Sequence, residues 1–276
     1  MPTLRAALLQ SQGRPGSVPA NLELLDAEAA RAAAAGAGLL VAPELFLTGY
    51  GVGEALPRLA REARDAEAEV DRIAARHRIA LACGLPEEDG GALYNAARLT
   101  GPDGRPLARY RKTHLWGPYE HTWFTPGDTA LVQARLHGLT VGLLICYDVE
   151  FPEMVRAHAL AGTDLLLVPT ALPAPGRFIA ETLVPARAFE SQLHIAYANR
   201  TGHEGGFDFV GLSTLAGPAG HPGPRAGAAP ELLVGDVDTD ALAASRTANT
   251  YLADRRPGLY PADRQDALPG QEAPAP

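Results

Sequence analysis

The chain has 276 residues, 46% of them apolar, and a formal net charge of −8, which is material for one large α/β domain with a sizeable core. The acidic balance and scattered arginines exclude nucleic acid as the main partner, because phosphate binding needs a clustered basic face. No apolar run approaches the roughly 20 residues that span a bilayer, and Met1-Pro2-Thr3-Leu4-Arg5 lacks the basic and long apolar regions of a secretory signal.

Strand-like runs alternate with helical patterns along the chain. Leu4–Leu9 reads as a strand. Leu22, Leu25, Ala29 and Ala32 recur at helical spacing, with Pro19 in the first turn and Gly36 at the end. Leu39–Ala42 is a short buried strand. Leu56, Leu59, Ala63, Ala66, Val70 and Ile73 form the apolar stripe of an amphipathic helix. Ile79–Cys83 is a strand, and Leu93–Leu99 and Leu107–Arg111 are two more around the turn Gly101-Pro102-Asp103-Gly104. Thr140–Ile145 is a strand, Phe151–Ala161 a helix with Pro152 in its first turn, and Leu165–Val168 a strand. Phe178–Gln192 reads as one helix, and Ile195–Ala198, Phe209–Leu215 and Leu232–Val237 as late strands. The alternation predicts an α/β fold with mixed sheets covered by helices. One domain is expected over residues 1–262, followed by an irregular Pro/Ala-rich tail over 263–276.

Of the 24 lysines and arginines, only Lys112 is a lysine. A compact ammonium with rotatable donors offers chemistry that a planar, permanently charged guanidinium does not. Lys112 follows the strand ending at Arg111, Glu44 follows Leu39–Ala42, and Cys146 follows Thr140–Ile145. Chemistry in open α/β folds gathers at the carboxyl ends of strands, so an acid, an ammonium and a thiol can converge. Cys146 is the natural nucleophile. A helix N-terminus and a cation nearby would lower its pKa, and a carboxylate could take its proton. Cys83, inside an apolar strand, reads as core. The two cysteines form no CxxC pair, which suits free thiols in a reducing cytoplasm. His114 and His121 match no zinc pattern, so no metal is expected, and Gly202–Gly206 matches no phosphate loop.

Gly142-Leu143-Leu144-Ile145-Cys146-Tyr147-Asp148-Val149-Glu150-Phe151-Pro152-Glu153 resembles the nucleophile segment of the nitrilase, or carbon–nitrogen hydrolase, superfamily. Pro43-Glu44-Leu45-Phe46-Leu47-Thr48-Gly49-Tyr50 resembles its general-base segment, and Tyr110-Arg111-Lys112-Thr113-His114-Leu115 its lysine segment. The three stand in the family's order. Cys-Tyr-Asp, followed by Phe-Pro-Glu, resembles the amidase branch, and together with Thr48-Gly49-Tyr50, Arg111-Lys112-Thr113-His114-Leu115 and Val168-Pro169-Thr170-Ala171 it resembles the 5-aminopentanamidases and related aliphatic and R-selective amidases. The chain departs from the family pattern at Ser191 and over Leu172-Pro173-Ala174-Pro175, where the family often has Asn.

The resemblance implies an α-β-β-α sandwich that assembles into a homodimer or a larger homo-oligomer. It implies a cofactor-free cytoplasmic amidohydrolase acting on a small-molecule amide, with no nucleic acid or membrane partner. Glu44 would serve as base and Cys146 as nucleophile, passing through a thioester. Lys112 and the Tyr147 backbone N–H would hold the oxyanion. Glu120 would be a fourth site residue. Trp116 and Tyr119 are candidate pocket walls, joined by Thr170 and Ala171 from Val168-Pro169-Thr170-Ala171. Glu150 or Asp148 could meet an amine, although Asp148 could equally cap the next helix. Two other readings remain at this point. One is a hydrolase of N-carbamoyl, ω-amide or nitrile substrates. The other is an inactive binding or scaffold protein on the same fold.

Overall fold

A computed structural model describes residues 4–219 and 223–259. The expected tail, 263–276, lies outside the described residues. Two mixed sheets form the centre. The first contains β1 (Leu4–Gln10), β2 (Leu39–Val41), β3 (Ala80–Asp89), β4 (Ala92–Thr100), β5 (Pro106–Arg111) and β13 (Glu231–Val237), in the order β13-β1-β2-β3-β4-β5. The second contains β6 (Gln133–Leu136), β7 (Leu139–Leu143), β8 (Leu165–Thr170), β9 (His194–Asn199) and β12 (Thr214–Ala216), in the order β12-β9-β8-β7-β6. A hairpin of β10 (Thr201–Glu204) and β11 (Phe207–Val210) stands apart. Each large sheet has a parallel centre, β1-β2-β3 or β7-β8-β9, with antiparallel strands outside it.

The helices are α1 (Val18–Ala34), α2 (Leu56–His77), α3 (Gly117–Trp123), α4 (Pro152–Leu160), α5 (Val184–Ser191) and α6 (Thr239–Ala248). Strand β1 shows how the layers arise. Leu4, Ala6 and Leu8 enter the core shared with the second sheet, whereas Ala7 and Leu9 enter the core shared with α1 and α2. This is the two-residue period of a strand buried on both faces. Leu25, Ala29 and Ala32 of α1 and Leu59, Ala63, Val70 and Ile73 of α2 supply the helical side of that second core. Between the sheets, Val41, Ala82 and Leu99 share one cluster with Val141, Leu143 and Leu167. Helices α4 and α5 connect the parallel strands of the second sheet and cover it, giving the α-β-β-α order.

Two sequence expectations need correction. Phe209–Leu215 is not one strand: Gly211 and Leu212 take positive φ, of 68° and 59°, and break it into β11 and β12, which pair in different sheets. Phe178–Gln192 is not one α-helix, because Ile179–Leu183 is wound as a π-turn before α5 begins. Among the described residues, no helix is long and apolar enough to cross a membrane.

Candidate active site

The carboxyl ends of β2, β5 and β7 meet where the two sheets face each other, and each is followed by one of the three residues singled out in the sequence. Glu44 stands three residues beyond β2. Its loop is pressed against β3 at Gly84, where a Cβ would fall 2.5 Å from both Leu45 N and Pro43 O. Only glycine permits that approach. Leu45 then turns through φ 48°. The guanidinium of Arg200, also buried, donates to the Glu44 carbonyl at 2.9 Å and the Leu45 carbonyl at 2.8 Å. Arg200 pairs with buried Glu204 at 2.8 Å, and Glu204 accepts from Gly51 N at 2.8 Å. The base loop is thus pinned at both sides of its turn.

Lys112 extends the β4–β5 ladder by one step, its N–H donating to Asn95 O at 2.8 Å. Cross-strand neighbours point to the same side of a sheet, and both side chains reach Glu44. Lys112 Nζ donates to Glu44 Oε1 at 2.8 Å, and Asn95 Nδ2 donates to the same oxygen at 2.6 Å. Lys112 Nζ also donates to Glu120 Oε1 at 2.6 Å. Glu120 comes from α3 and is buried. It accepts further from Tyr50 Oη at 2.8 Å and, on Oε2, from the Trp116 N–H at 2.8 Å. Glu44 Oε2 is buried with no hydrogen-bond partner among the described residues.

Cys146 opens a short 3₁₀ turn, Cys146–Glu150, and has φ 44°. A non-glycine residue held in that region is strained, and such strain concentrates at functional sites. Asp148 fixes the turn. Its carboxylate accepts from Ile145 N at 3.2 Å and Tyr110 Oη at 2.9 Å, and from Thr113 Oγ1 and His114 N, both at 2.9 Å. His114 Nδ1 lies 2.8 Å from the same group, and its ring stacks on Phe151 at 4.0 Å. Asp148 therefore ties the lysine segment to the cysteine segment.

The electrostatics follow from burial. Glu44 and Lys112 have no exposed side-chain surface. Burial pushes the Glu44 carboxyl above its usual range, against the opposing pull of Lys112. Lys112, desolvated but flanked by Glu44 and Glu120, is held well above the usual lysine value. The Cys146 thiol is pushed well above its ordinary value, by burial first and the Glu44 charge second, with Lys112 and the Ala171 N–H pulling the other way. The expected lowering of the thiol pKa is therefore corrected: two buried carboxylates and loss of water outweigh one ammonium. The resting nucleophile is a thiol that needs a base at the moment of attack. Cys83 is also a buried thiol, raised to about 12 by burial against the pull of Arg98 and Arg200, and its Sγ lies 3.7 Å from Gly84 O on its own strand.

A pocket of about 320 Å³ opens over Cys146. Tyr50, Trp116, Glu120, Tyr147 and Glu150 line one part, and the run Ala171–Gly176 with Phe178 and Ile179 lines the rest. Trp116, Tyr147 and Ala171 are among the lining residues. Tyr119 and Thr170 do not line it. Tyr119 Oη donates to Tyr50 O at 2.8 Å and its ring packs on Tyr50 from behind. Thr170 Oγ1 donates to Val168 O at 2.9 Å. His121 is exposed on α3. Among the described residues, no group of three or more His, Cys, Asp or Glu is arranged to hold a metal ion.

A family model described as carbon-nitrogen hydrolase matches residues 5–247. The chain belongs to the carbon–nitrogen hydrolase family. It is 36% identical over 255 residues to an (R)-stereoselective amidase of a Pseudomonas species, with 92% of each chain covered. It is 32% identical over 272 residues to an omega-amidase of Mus musculus, covering 94% of this chain and 98% of that one. An amidase from Nesterenkonia sp. superposes with a TM-score of 0.85 at 41% identity, over 93% of this chain and 94% of the other. Variants of that amidase carry acrylamide, or the acetamide moiety of fluoroacetamide, covalently on the active-site cysteine, and another was captured with butyramide. This carbon–nitrogen hydrolase acts on amide C–N bonds, within the nitrilase-superfamily amidases.

Two residues of the hydrolase's site were missed in the sequence. Asn95 sits inside an apolar strand, where asparagine is disfavoured, and that was the available signal. Tyr50 closes the base segment itself, and its hydroxyl contacts Glu120.

Proposed function

We propose that the protein hydrolyses small aliphatic amides to the carboxylic acid and ammonia through a thioester on Cys146. The hydrogen-bond count at Lys112 and Glu44 carries this reading. An ammonium has three donors, and two are committed, to Glu44 and Glu120. The third remains for an oxyanion. Glu44 Oε1 is engaged twice, by Lys112 and Asn95, while Oε2 is free to take a proton.

In the first half-reaction Glu44 Oε2 accepts the Cys146 proton as sulfur attacks the amide carbon. Lys112 and the Tyr147 N–H stabilise the tetrahedral oxyanion. The protonated Glu44 returns that proton to the departing nitrogen, and ammonia leaves. In the second half-reaction Glu44 takes a proton from water as its oxygen attacks the thioester, and returns it to the Cys146 sulfur as the acid departs. A carboxylate with a raised pKa suits both tasks, since its protonation state alternates between them. The butyramide complex of the Nesterenkonia amidase and the modest pocket volume support a short aliphatic acyl group.

The test is ammonia release from a panel of amides, ureido compounds and nitriles, with intact-mass spectrometry after brief amide exposure. Amides should be turned over, and an acyl adduct should appear on the wild type and vanish in Cys146→Ala. A turnover-competent Cys146→Ala variant, or activity on nitriles alone, would refute the proposal.

A further inference from the structure

The hairpin β10–β11 belongs to neither large sheet. Its strands have 4 residues each, and an isolated two-stranded hairpin is at best marginally stable in water. It is held against the site at three places. At its start, the guanidinium of buried Arg200 spans the base loop: Nε donates to the Glu44 carbonyl at 2.9 Å, Nη2 to the Leu45 carbonyl at 2.8 Å and Nη1 to the Gln12 carbonyl at 2.9 Å. The backbone N–H groups of Arg200 and Glu44 share one acceptor, Thr170 O, at 3.2 and 3.4 Å. At the tip, Glu204 pairs with Arg200 at 2.8 Å and accepts from Gly51 N at 2.8 Å. The two backbones there approach so closely that a Cβ on Gly51 would fall 2.8 Å from Gly205 Cα.

On the returning strand, Phe207 and Phe209 meet the ring of Tyr50 edge-on, with centroids 5.2 and 5.8 Å away. Tyr50 is the residue that donates to Glu120. The same strand binds the pocket wall: Ala174 N donates to Asp208 O at 2.7 Å, and Val210 N to Leu172 O at 3.2 Å. One small element therefore touches the base loop, the tyrosine behind Glu120 and the acyl wall. A buried ion pair is a poor device for stability alone, since well-packed apolar residues of similar volume do as well or better. Neither Arg200 nor Glu204 lines the Cys146 pocket. What the guanidinium fork adds is a fixed geometry for two consecutive carbonyls and a carboxylate.

We propose that Arg200 and Glu204 are positioning residues, through which the β10–β11 hairpin aims Glu44 and, by way of Tyr50, Glu120 at a substrate held on the Leu172–Ala174 wall. The proposal rests on Glu44 acting as the base at Cys146 and names the element that holds it in register. The charged and titratable groups that act on or with Glu44 are Lys112, Glu120, Cys146, Tyr50, Tyr197 and Arg200. Those that act with Glu204 are Arg200 and Tyr119. Removing the Glu204 charge leaves the Arg200 cation uncompensated beside Glu44, which favours the Glu44 carboxylate. The acidic limb of the kcat/KM profile then moves to lower pH.

The experiment measures kcat, KM and the pH profile for the best amide of the panel above, per mole of folded protein and beside a thermal melt. Glu204→Gln keeps the side-chain shape. Its kcat should fall about a hundredfold, as for a small misplacement of a reacting group, with KM little changed and the acidic limb shifted down. Arg200→Lys keeps the charge but cannot bridge both carbonyls and Glu204, so kcat should fall as far with no downward shift of the limb. Phe207→Leu, at a half-buried position, leaves the ion pair intact and removes one edge contact from Tyr50, so kcat should fall about two- to tenfold. Folded Glu204→Gln with kcat within about threefold of wild type and an unmoved acidic limb overturns the proposal. If neither polar variant folds, Phe207→Leu decides, and a wild-type kcat there overturns it. A wild type that releases no ammonia from any amide refutes the amidase reading instead.

Discussion

Replacing Lys112 by arginine keeps the charge and changes only its shape, which makes it the sharpest probe of the site. Lys112 Nζ sits 2.8 Å from Glu44 and 2.6 Å from Glu120, with no side-chain surface exposed. A guanidinium is longer and planar, and three nitrogens must fit where one stood. Overpacking of this kind costs about 1–3 kcal/mol of stability, which in a chain of this length lowers Tm by roughly 2–12 °C. Truncation to methionine would be harsher, because two buried carboxylates would lose their cation, at about 3–5 kcal/mol for such a broken pair. The catalytic loss is separable. The fork can satisfy both carboxylates yet present no donor where the third ammonium proton pointed, and loss of one oxyanion donor costs about 10²–10³ in turnover. Lys112→Arg should therefore melt as a folded protein and release ammonia at least about a hundredfold more slowly. The measurement is steady-state ammonia release beside a thermal melt. A folded variant within tenfold of wild type would refute the role given to the third donor.

Asn95→Leu removes one of the two donors on Glu44 Oε1. It should raise the Glu44 pKa further and move the acidic limb of the kcat/KM–pH profile upward, with activity down about tenfold. Asp148→Asn leaves five donors sharing a weaker acceptor; kcat should fall without a matching change in KM, read by steady-state kinetics, as the lysine and cysteine segments lose register. His158 is buried and desolvation lowers its pKa to about 4. A group depressed in the folded state is protonated first in the unfolded one, so stability is complete above about pH 6.5 and is lost as pH falls toward the folded value; thermal melts across that window should show the decline, less steeply in His158→Gln.

What the sequence revealed follows from how strongly local pattern dictates each piece. β2, β8 and β9 were legible because they are buried on both faces and rich in consecutive apolar residues, and β1 because only Arg5 interrupts its buried run. Strand β6, Gln133–Leu136, was not, since an edge strand with partly exposed residues carries no alternation to read. Helix α3 has 7 residues, too few to display a period, yet it delivers Glu120. Glu44, Lys112 and Cys146 were legible because each follows an apolar strand, whereas Glu120, on α3, was expected only from the family resemblance. Asn95 became a site residue only through its register opposite Lys112, a relation between strands that a single sequence does not display. The direction of the Cys146 shift was misjudged for a related reason. The cation and the turn were visible in the sequence, but the depth of burial and the convergence of two acids on the same ammonium were not.

That misjudged direction bears on how the site works. A thiol kept neutral by burial is protected from oxidation and alkylation between turnovers, because the thiolate is the reactive form. The same burial would stall the reaction if the proton had to leave for bulk water. In the proposed reaction Glu44 would remove that difficulty, because one of its oxygens accepts twice and the other has no partner among the described residues. Satisfying both oxygens would lower its basicity, and leaving both free would let the side chain rotate away. Asn95 holds one oxygen, and Arg200 holds the turn beneath it. Lys112 completes the balance. It carries one positive charge between two buried carboxylates, so the resting cluster is one charge short of neutral and gains a second negative charge when the oxyanion forms. In the proposed reaction a protonated Glu44 would offset that charge at the moment it appears, which would couple proton transfer to carbon–sulfur bond formation rather than let a free thiolate precede it.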